Sequence, residues 1–125
     1  MTRPLIIDTD PGQDDAIAIL LALASPEFDV LGLTTVAGNV SLDHTTRNAL
    51  MLCELAGRPE LPVFAGCPRP LIREPVTAEH VHGETGLNGC GLPPPGIQAQ
   101  PRHAVEWLVE TCRKASEPIT VCTLG

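Results

Sequence analysis

The sequence predicts an α/β fold, with a mainly parallel open sheet and helices flanking it. Short apolar or β-branched runs alternate with longer helix-like stretches along the 125 residues, which is the order typical of parallel sheets. Most of these runs end in acidic, Asn-containing or Gly-containing turns. Hydrophobic residues make up 43% of the chain, enough for the buried core of one domain.

The first half of the chain contains three predicted strands and two predicted helices. Residues 5–8 form a short apolar run that predicts a buried parallel strand. Residues 14–24 are apolar nearly all round, which predicts a helix packed deep between layers. Residues 30–37 are β-branched and predict the second strand, residues 42–56 predict the second helix, and residues 63–65 predict a brief third strand.

The second half is less regular. Residues 67–100 hold many Pro and Gly residues with little periodicity, and a loop this long in a compact domain is usually functional or disordered. Residues 103–115 predict a third helix, with basic residues in its last turn. Residues 119–123 predict a fourth, buried strand. Because no later element covers that strand, we expect residues 1–125 to be the N-terminal part of a longer, single domain.

Composition excludes several classes of protein. The net charge is −7 and aromatic residues make up only 2%, which argues against a nucleic acid partner. No apolar run approaches the roughly 20 residues that span a bilayer, and no signal peptide is evident. The five cysteines are odd in number and lack Cys-x-x-Cys spacing, so we expect reduced thiols. We therefore predict a cytoplasmic protein with no membrane or nucleic acid partner.

Four aspartates fall within eight residues, at Asp8, Asp10, Asp14 and Asp15. Like charges this close repel one another. A helix N-terminus offsets part of the repulsion, and a hard divalent cation, which prefers carboxylate oxygens, would offset more. The spacing is not that of an EF-hand, because the glycine and the final acidic ligand are misplaced. The alternative is a helix N-cap cluster without a ligand, although capping needs only one or two acids.

The polar features of the chain converge on one edge of the predicted sheet. The aspartates follow the first strand and Asn39 follows the second. Residues 80–89 lie after the third strand, and residues 124–125 follow the fourth. Ligands of open α/β sheets bind beyond the carboxyl ends of the strands. We therefore expect a single binding site there.

Five segments, in order, resemble the inosine–uridine preferring nucleoside hydrolases. DTDPGQDDAIAI at residues 8–19 is similar to the family's N-terminal signature and is highly specific. The other four are weaker alone: TVAGNV at 35–40, VFAG at 63–66, HGETGL at 82–87 and ITVCTLG at 119–125. The resemblance covers essentially the whole chain. It implies a Rossmann-like nucleoside hydrolase fold and cleavage of ribonucleosides to free base and ribose, as in purine or pyrimidine salvage.

The same resemblance implies a Ca²⁺ site. Asp10 and Asp15 would ligate the ion, and the carbonyl oxygen of Leu124 would complete part of its shell. The ion would hold and acidify a water. Asp10 would also be the catalytic general base that takes the proton from that water.

The resemblance also implies the substrate contacts. Asp14 would bind a ribose hydroxyl, Asn39 would contact the sugar, and His82 would lie beside the nucleoside. Without the resemblance, His82 reads as an exposed or locally hydrogen-bonded loop histidine. A zinc pair with His80 is a weaker alternative, since the neighbouring donors are oxygens.

Two other classes of protein stay open. A phosphotransferase of the haloacid-dehalogenase type begins with Asp-x-Asp after a strand, as Asp8 and Asp10 do. That family expects Thr or Val where this chain has Gly12, and it does not predict the later aspartate pair. The third possibility is a non-catalytic remnant. The resemblance to the nucleoside hydrolases implies a longer domain that forms oligomers. We therefore expect an incomplete site in residues 1–125, weak or no activity of this chain in isolation, and a homo-oligomer at full length.

Overall fold

The computed structural model describes all residues, Met1–Gly125, and confirms the α/β fold. Four parallel strands form one sheet in the order β3-β2-β1-β4. The strands are β1 Arg3–Thr9, β2 Phe28–Thr35, β3 Val63–Ala65 and β4 Thr120–Thr123. The helices are α1 Gln13–Ala24, α2 Leu42–Leu55, α3 Glu79–His82 and α4 Ala104–Lys114.

The strand register places all four carboxyl ends at one edge of the sheet. Asp8 lies opposite Thr34 of β2 and Thr123 of β4. Thr35, the last residue of β2, lies opposite Ala65, the last residue of β3. The segments that leave these strands therefore start side by side, as the sequence predicts for a binding site.

The helices lie on both faces of the sheet. Helices α1 and α2 contact each other and β2, and right-handed crossovers place them on one face. On the other face α4 contacts β2 and β3, and the Trp107 ring stacks on Phe64 with 4.3 Å between centroids. Trp107 also covers Gly32, where an added Cβ would lie 2.9 Å from the indole. A glycine in mid-strand therefore makes room for the only tryptophan of the chain.

The hydrophobic core lies mainly between the sheet and the α1–α2 pair. Its fully buried side chains include Ile7, Ile19, Leu33 and Leu52. The prediction that α1 is buried all round is wrong. Ile17 and Leu21 lie on an open face, with 68% and 71% of their surface exposed, because only the sheet and α2 cover this helix.

Other elements differ from prediction mainly at their ends. The short α3 was not predicted inside the irregular region 67–100. His103 precedes α4 as its N-cap, and its Nδ1 accepts from the N–H of Val105 at 3.1 Å. The strand β4 is mostly exposed rather than buried, because it pairs only with β1 at the edge of the sheet.

Two further observations concern the whole chain. All five cysteines are free thiols, and only Cys53 is fully buried. No helix is both long enough and apolar enough to cross a membrane.

Candidate active site

Asp10 follows β1 directly and is buried, with 9% of its surface exposed. Its carboxylate Oδ2 accepts from the backbone N–H of Asn39 at 2.8 Å, and its backbone oxygen accepts from Asn39 Nδ2 at 2.9 Å. Gly38 makes this approach possible, because an added Cβ there would lie 2.1 Å from Oδ2 of Asp10. The turn after β2 therefore fixes the position of the Asp10 carboxylate.

Asp15 lies in the first turn of α1 and is also buried. Its Oδ2 accepts from the hydroxyl of Thr9 at 2.6 Å, and Thr9 is itself fully buried. A carboxylate in the first turn of a helix is stabilised by the helix dipole. The last residue of β1 and the start of α1 thus hold Asp15 beside Asp10.

The surroundings of the Asp10 carboxyl group shift its pKa. Burial raises the pKa of Asp10, and the neighbouring charge of Asp15 raises this pKa further, while the hydrogen bond from Asn39 lowers it in part. The upward shift indicates that the folded chain disfavours the ionised form of Asp10, mainly because that carboxyl is buried.

The remaining two aspartates face different surroundings. Asp8 Oδ1 accepts from the hydroxyl of Thr34 at 2.6 Å, so this residue links β1 to β2. The backbone oxygen of Asp8 accepts from the N–H of Leu124 at 2.7 Å, which holds the chain after β4 at the same edge. Asp14 is exposed at the start of α1, where its carboxylate is free to meet a ligand.

A chain of backbone contacts joins Asn39 to His82. The carbonyl oxygen of Asn39 accepts from the N–H of Ala78 at 2.7 Å, and Ala78 precedes α3, which ends at His82. The His82 ring lies over Gly12, where an added Cβ would lie 2.6 Å from its Nδ1. That Nδ1 is buried without a hydrogen-bond partner. A buried polar atom without a partner is rare, and this one lies in the middle of the predicted site.

The structure therefore brings together most of the predicted residues. His82 and Asn39 lie against Gly12, Asn39 also holds Asp10, and Asp10 has Asp15 as its neighbour. Glycine suits this position, because a side chain would collide with the imidazole of His82 and with Nδ2 of Asn39, 3.0 Å away. Asp14 lies at the rim, and Leu124 meets the site through Asp8.

Comparison with known proteins matches this arrangement to one family. The family model described as inosine-uridine preferring nucleoside hydrolase matches residues 5–125. The chain belongs to this family. An uncharacterized protein of Schizosaccharomyces pombe is 58% identical over 123 residues, which are 97% of this chain and 39% of that protein. The pyrimidine-specific ribonucleoside hydrolase RihA of Photobacterium profundum is 50% identical over 125 residues, which are 100% of this chain and 40% of that enzyme.

Solved structures agree with the family assignment. A plant nucleoside hydrolase superposes with a TM-score of 0.93 at 40% identity, covering 100% of this chain and 40% of that one. A purine-preferring ribonucleoside hydrolase from Gardnerella vaginalis gives a TM-score of 0.91 at 30% identity, with coverages of 98% and 40%. The chain thus spans about 40% of the length of the relatives it matches.

Nucleoside hydrolases are generally metal-dependent, and the donors in this chain fit a hard cation in kind. The Asp10 and Asp15 carboxylates are the oxygen donors that Ca²⁺ prefers, and a cation between them would relieve their repulsion. They do not fit in number. No group of three or more His, Cys, Asp or Glu side chains converges in the chain, whereas Ca²⁺ takes about six to eight oxygens. The chain alone therefore offers fewer side-chain donors than a complete Ca²⁺ shell needs.

Two residues that shape the site, Thr9 and Asn48, were not predicted from the sequence. Thr9 holds Asp15, and Asn48 of α2 donates to backbone oxygens on both sides of the site. A threonine at the end of a strand and an asparagine in a polar helix carry no special signal. Both are buried, and burial emerges only from the packing of α2 against the sheet.

Proposed function

We propose that this chain forms the cation-binding and ribose-binding part of a nucleoside hydrolase. The enzyme would hydrolyse the N-glycosidic bond of ribonucleosides to free base and ribose. The bond between C1′ and the base nitrogen breaks, the oxygen of water bonds to C1′, and the departing base gains a proton. The observation that carries the proposal is the buried Asp10–Asp15 pair at the carboxyl edge of the sheet in a chain of this family.

Asp10 is the proposed general base. Its Oδ2 is held by the N–H of Asn39, which leaves the other carboxylate oxygen to take a proton from the attacking water. In this proposal Asp10, Asp15 and the Leu124 carbonyl would hold Ca²⁺. When bound, the ion would position that water and lower its pKa.

Asp14, Asn39 and His82 are the proposed substrate contacts. The exposed carboxylate of Asp14 suits a ribose hydroxyl, and the Asn39 amide suits the sugar. The His82 Nδ1 is buried and lacks a partner in the chain, so a bound nucleoside would provide one. Glycosidic cleavage passes through an oxocarbenium-like transition state, and the acidic groups around the sugar would stabilise its positive charge.

The two alternative functions, a phosphotransferase and a non-catalytic remnant, differ in how far the comparisons bear on them. Neither the family match nor the related structures support a phosphotransferase of the haloacid-dehalogenase type. A non-catalytic remnant would keep the same fold and differ only in activity, so an experiment must distinguish it from the hydrolase.

We further propose, from the family resemblance, that residues 1–125 are the N-terminal part of a cytoplasmic salvage enzyme that forms homo-oligomers. Free cysteines are consistent with that compartment.

A chimeric enzyme tests the activity. The matching 40% of RihA from Photobacterium profundum is replaced by this chain, which is 50% identical to it. We expect the chimera to release ribose from uridine, and we expect Asp10→Asn to lower the rate at least about a hundredfold. Asp29→Asn, at an exposed position of β2, is the matched control and should leave the rate unchanged.

A folded chimera that releases no ribose supports the remnant and refutes the hydrolase. Folding is judged from a cooperative thermal unfolding transition. If the full exchange does not fold, residues 8–15 alone are transferred, since they carry both proposed cation ligands from the side chains. The isolated chain, tested in parallel with Ca²⁺, should release ribose weakly or not at all. Robust turnover by it would refute the incomplete site.

A further inference from the structure

Asn48 connects two segments of the site that are far apart in sequence. It lies in the middle of α2 with 1% of its surface exposed. Its Nδ2 donates to the backbone oxygen of Pro11 at 3.0 Å and to that of Thr85 at 2.7 Å. Since both partners are carbonyl oxygens, only the amide nitrogen can face them, and the orientation of the side chain is fixed.

The two segments carry different parts of the chemistry. Pro11 belongs to the aspartate turn, defined as residues 8–15, and follows Asp10. Thr85 belongs to the His82 loop, defined as residues 82–87. At Gly86 the loop meets the turn closely, since an added Cβ would lie 3.0 Å from Asn48 Nδ2 and 3.2 Å from the Pro11 oxygen. Gly86 also has a φ of +85°, which favours glycine.

The His82 loop is held by the Leu87 side chain, which is buried in the core, and by the Asn48 amide of α2. The bond from Gly86 N–H to the Gly83 oxygen lies within the loop, and those from Thr85 go to Asn88, the residue just after it. A cavity of about 310 Å³ lies between α2 and residues 85–92, lined in part by Asn48 and Thr85. The loop therefore has space to move if the Asn48 amide is lost.

We propose that Asn48 is a positioning residue that holds the His82 loop against the aspartate turn. It thereby sets where the His82 imidazole stands over Gly12. The hydrogen bonds of its amide go only to backbone oxygens, so it acts through His82 rather than on the substrate. The inference rests on the proposed function insofar as His82 contacts a nucleoside.

Amide hydrogen exchange of the 125-residue chain tests this inference. Asn48→Asp keeps the size of the side chain, removes both N–H donors and places a carboxylate against two carbonyl oxygens. We expect exchange in residues 83–88 to accelerate about tenfold, because buried carbonyls lose their partner. Exchange in β1 should change less than about twofold. The ¹⁵N shifts of the His82 imidazole should move in the same variant.

Asn88→Asp is the matched control. It makes the same chemical change near the same loop, but Asn88 acts there through its Oδ1, which accepts from the N–H and hydroxyl of Thr85. A carboxylate keeps both bonds, so exchange and the His82 shifts should stay unchanged. If Asn48→Asp lacks a cooperative unfolding transition, the smaller and uncharged Asn48→Ser gives the same comparison.

Two results would overturn the inference. Equal acceleration in β1 and in residues 83–88 would assign Asn48 to global stability, and unchanged exchange in both would leave it without a positioning role. Neither measurement requires turnover, so a chain that fails as a hydrolase still gives a clear answer about Asn48. In an active chimera, the same substitution should lower kcat/KM for uridine by about tenfold or more while Ca²⁺ affinity changes little.

Discussion

Asn39 donates to Asp10 twice, from its backbone N–H to Oδ2 at 2.8 Å and from its side-chain Nδ2 to the backbone oxygen at 2.9 Å. The first bond holds the carboxylate, and the second holds the backbone beneath it. The turn after β2 therefore holds Asp10, in the turn after β1, through hydrogen bonds that need no ligand. Because a substitution removes only the side-chain bond, the two contributions can be measured separately.

Asn39→Asp should destabilise the chain in EDTA by about 1–3 kcal/mol, because it removes the Nδ2 donor and adds a third carboxylate beside the buried pair. Millimolar Ca²⁺ should recover part of this loss, since the cation offsets the added charge. Urea unfolding with and without Ca²⁺ measures both effects. Asn88→Asp, at an exposed loop position, serves as the control. Equal stability of Asn39→Asp and the unsubstituted chain in EDTA would contradict the prediction.

Asp10→Asn should stabilise the chain in EDTA at pH 7. The pKa of Asp10 is raised by burial and then by the charge of Asp15, so ionisation costs folding free energy as the pH rises from the unfolded pKa through the folded one. The gain from Asp10→Asn should be full above the folded pKa and should vanish below about pH 4. Urea unfolding at pH 7 and pH 3.5 checks the sign.

The exposed Asp29→Asn is the control for that series and should show no such gain at either pH. A lower stability of Asp10→Asn at pH 7 in EDTA would show that the hydrogen bond from Asn39 outweighs burial and repulsion. Excess Ca²⁺ should reverse the order of stabilities, because the cation binds the folded aspartate form more tightly than the asparagine form.

Gly38→Ala should displace the Asp10 carboxylate, because the new Cβ would lie 2.1 Å from its Oδ2. A displacement of about 1 Å at a reacting group can cost about a hundredfold in rate, and we expect that loss in the RihA chimera. Gly96→Ala is the matched control, since its Cβ meets only the flexible end of Glu54 at 3.3 Å. Similar rates for the two alanine variants would show that the Asp10 carboxylate moves without consequence.

Cysteine labelling tests the packing independently of activity. Burial raises the pKa of Cys53 to about 11, whereas Cys90 and Cys112 are exposed. At pH 8 a thiol reagent should modify the two exposed residues at least about a hundredfold faster than Cys53. Peptide mass spectrometry after timed quenching measures each rate. Fast labelling of Cys53 in the folded chain would contradict the placement of α2 against the sheet.

Much of this arrangement could be predicted from the sequence, because the fold depends on strong local patterns. Apolar runs of the right length identify the strands, and the aspartate turn marks the carboxyl edge of β1. Asp10, Asp15 and Asn39 were predicted to meet, and they do. Parallel pairing makes this possible, since it brings the ends of neighbouring strands to one edge regardless of loop length.

What could not be predicted depends on packing between distant segments. Nothing in the residues around Asn48 shows that its amide lies between Pro11 and Thr85. The exposure of Leu21 was also not predicted. An apolar helix has the same sequence pattern whether other elements cover one of its faces or both. The proposed role of the Leu124 carbonyl comes only from the family resemblance, because a backbone carbonyl has no sequence signature.

The two edge strands of the sheet, β3 and β4, differ in how far they are covered. Beside β3, Gln100 donates its N–H to Val63 and bridges Phe64, so a loop shields that margin. The outer margin of β4 has no neighbouring strand, and Val121 is 37% exposed there. The unpaired backbone N–H and C=O groups on this side of β4 can form hydrogen bonds with an extended segment of another chain. Handling of the 125-residue polypeptide at high concentration should therefore favour fibrous or amorphous precipitation, seeded from Thr120–Thr123.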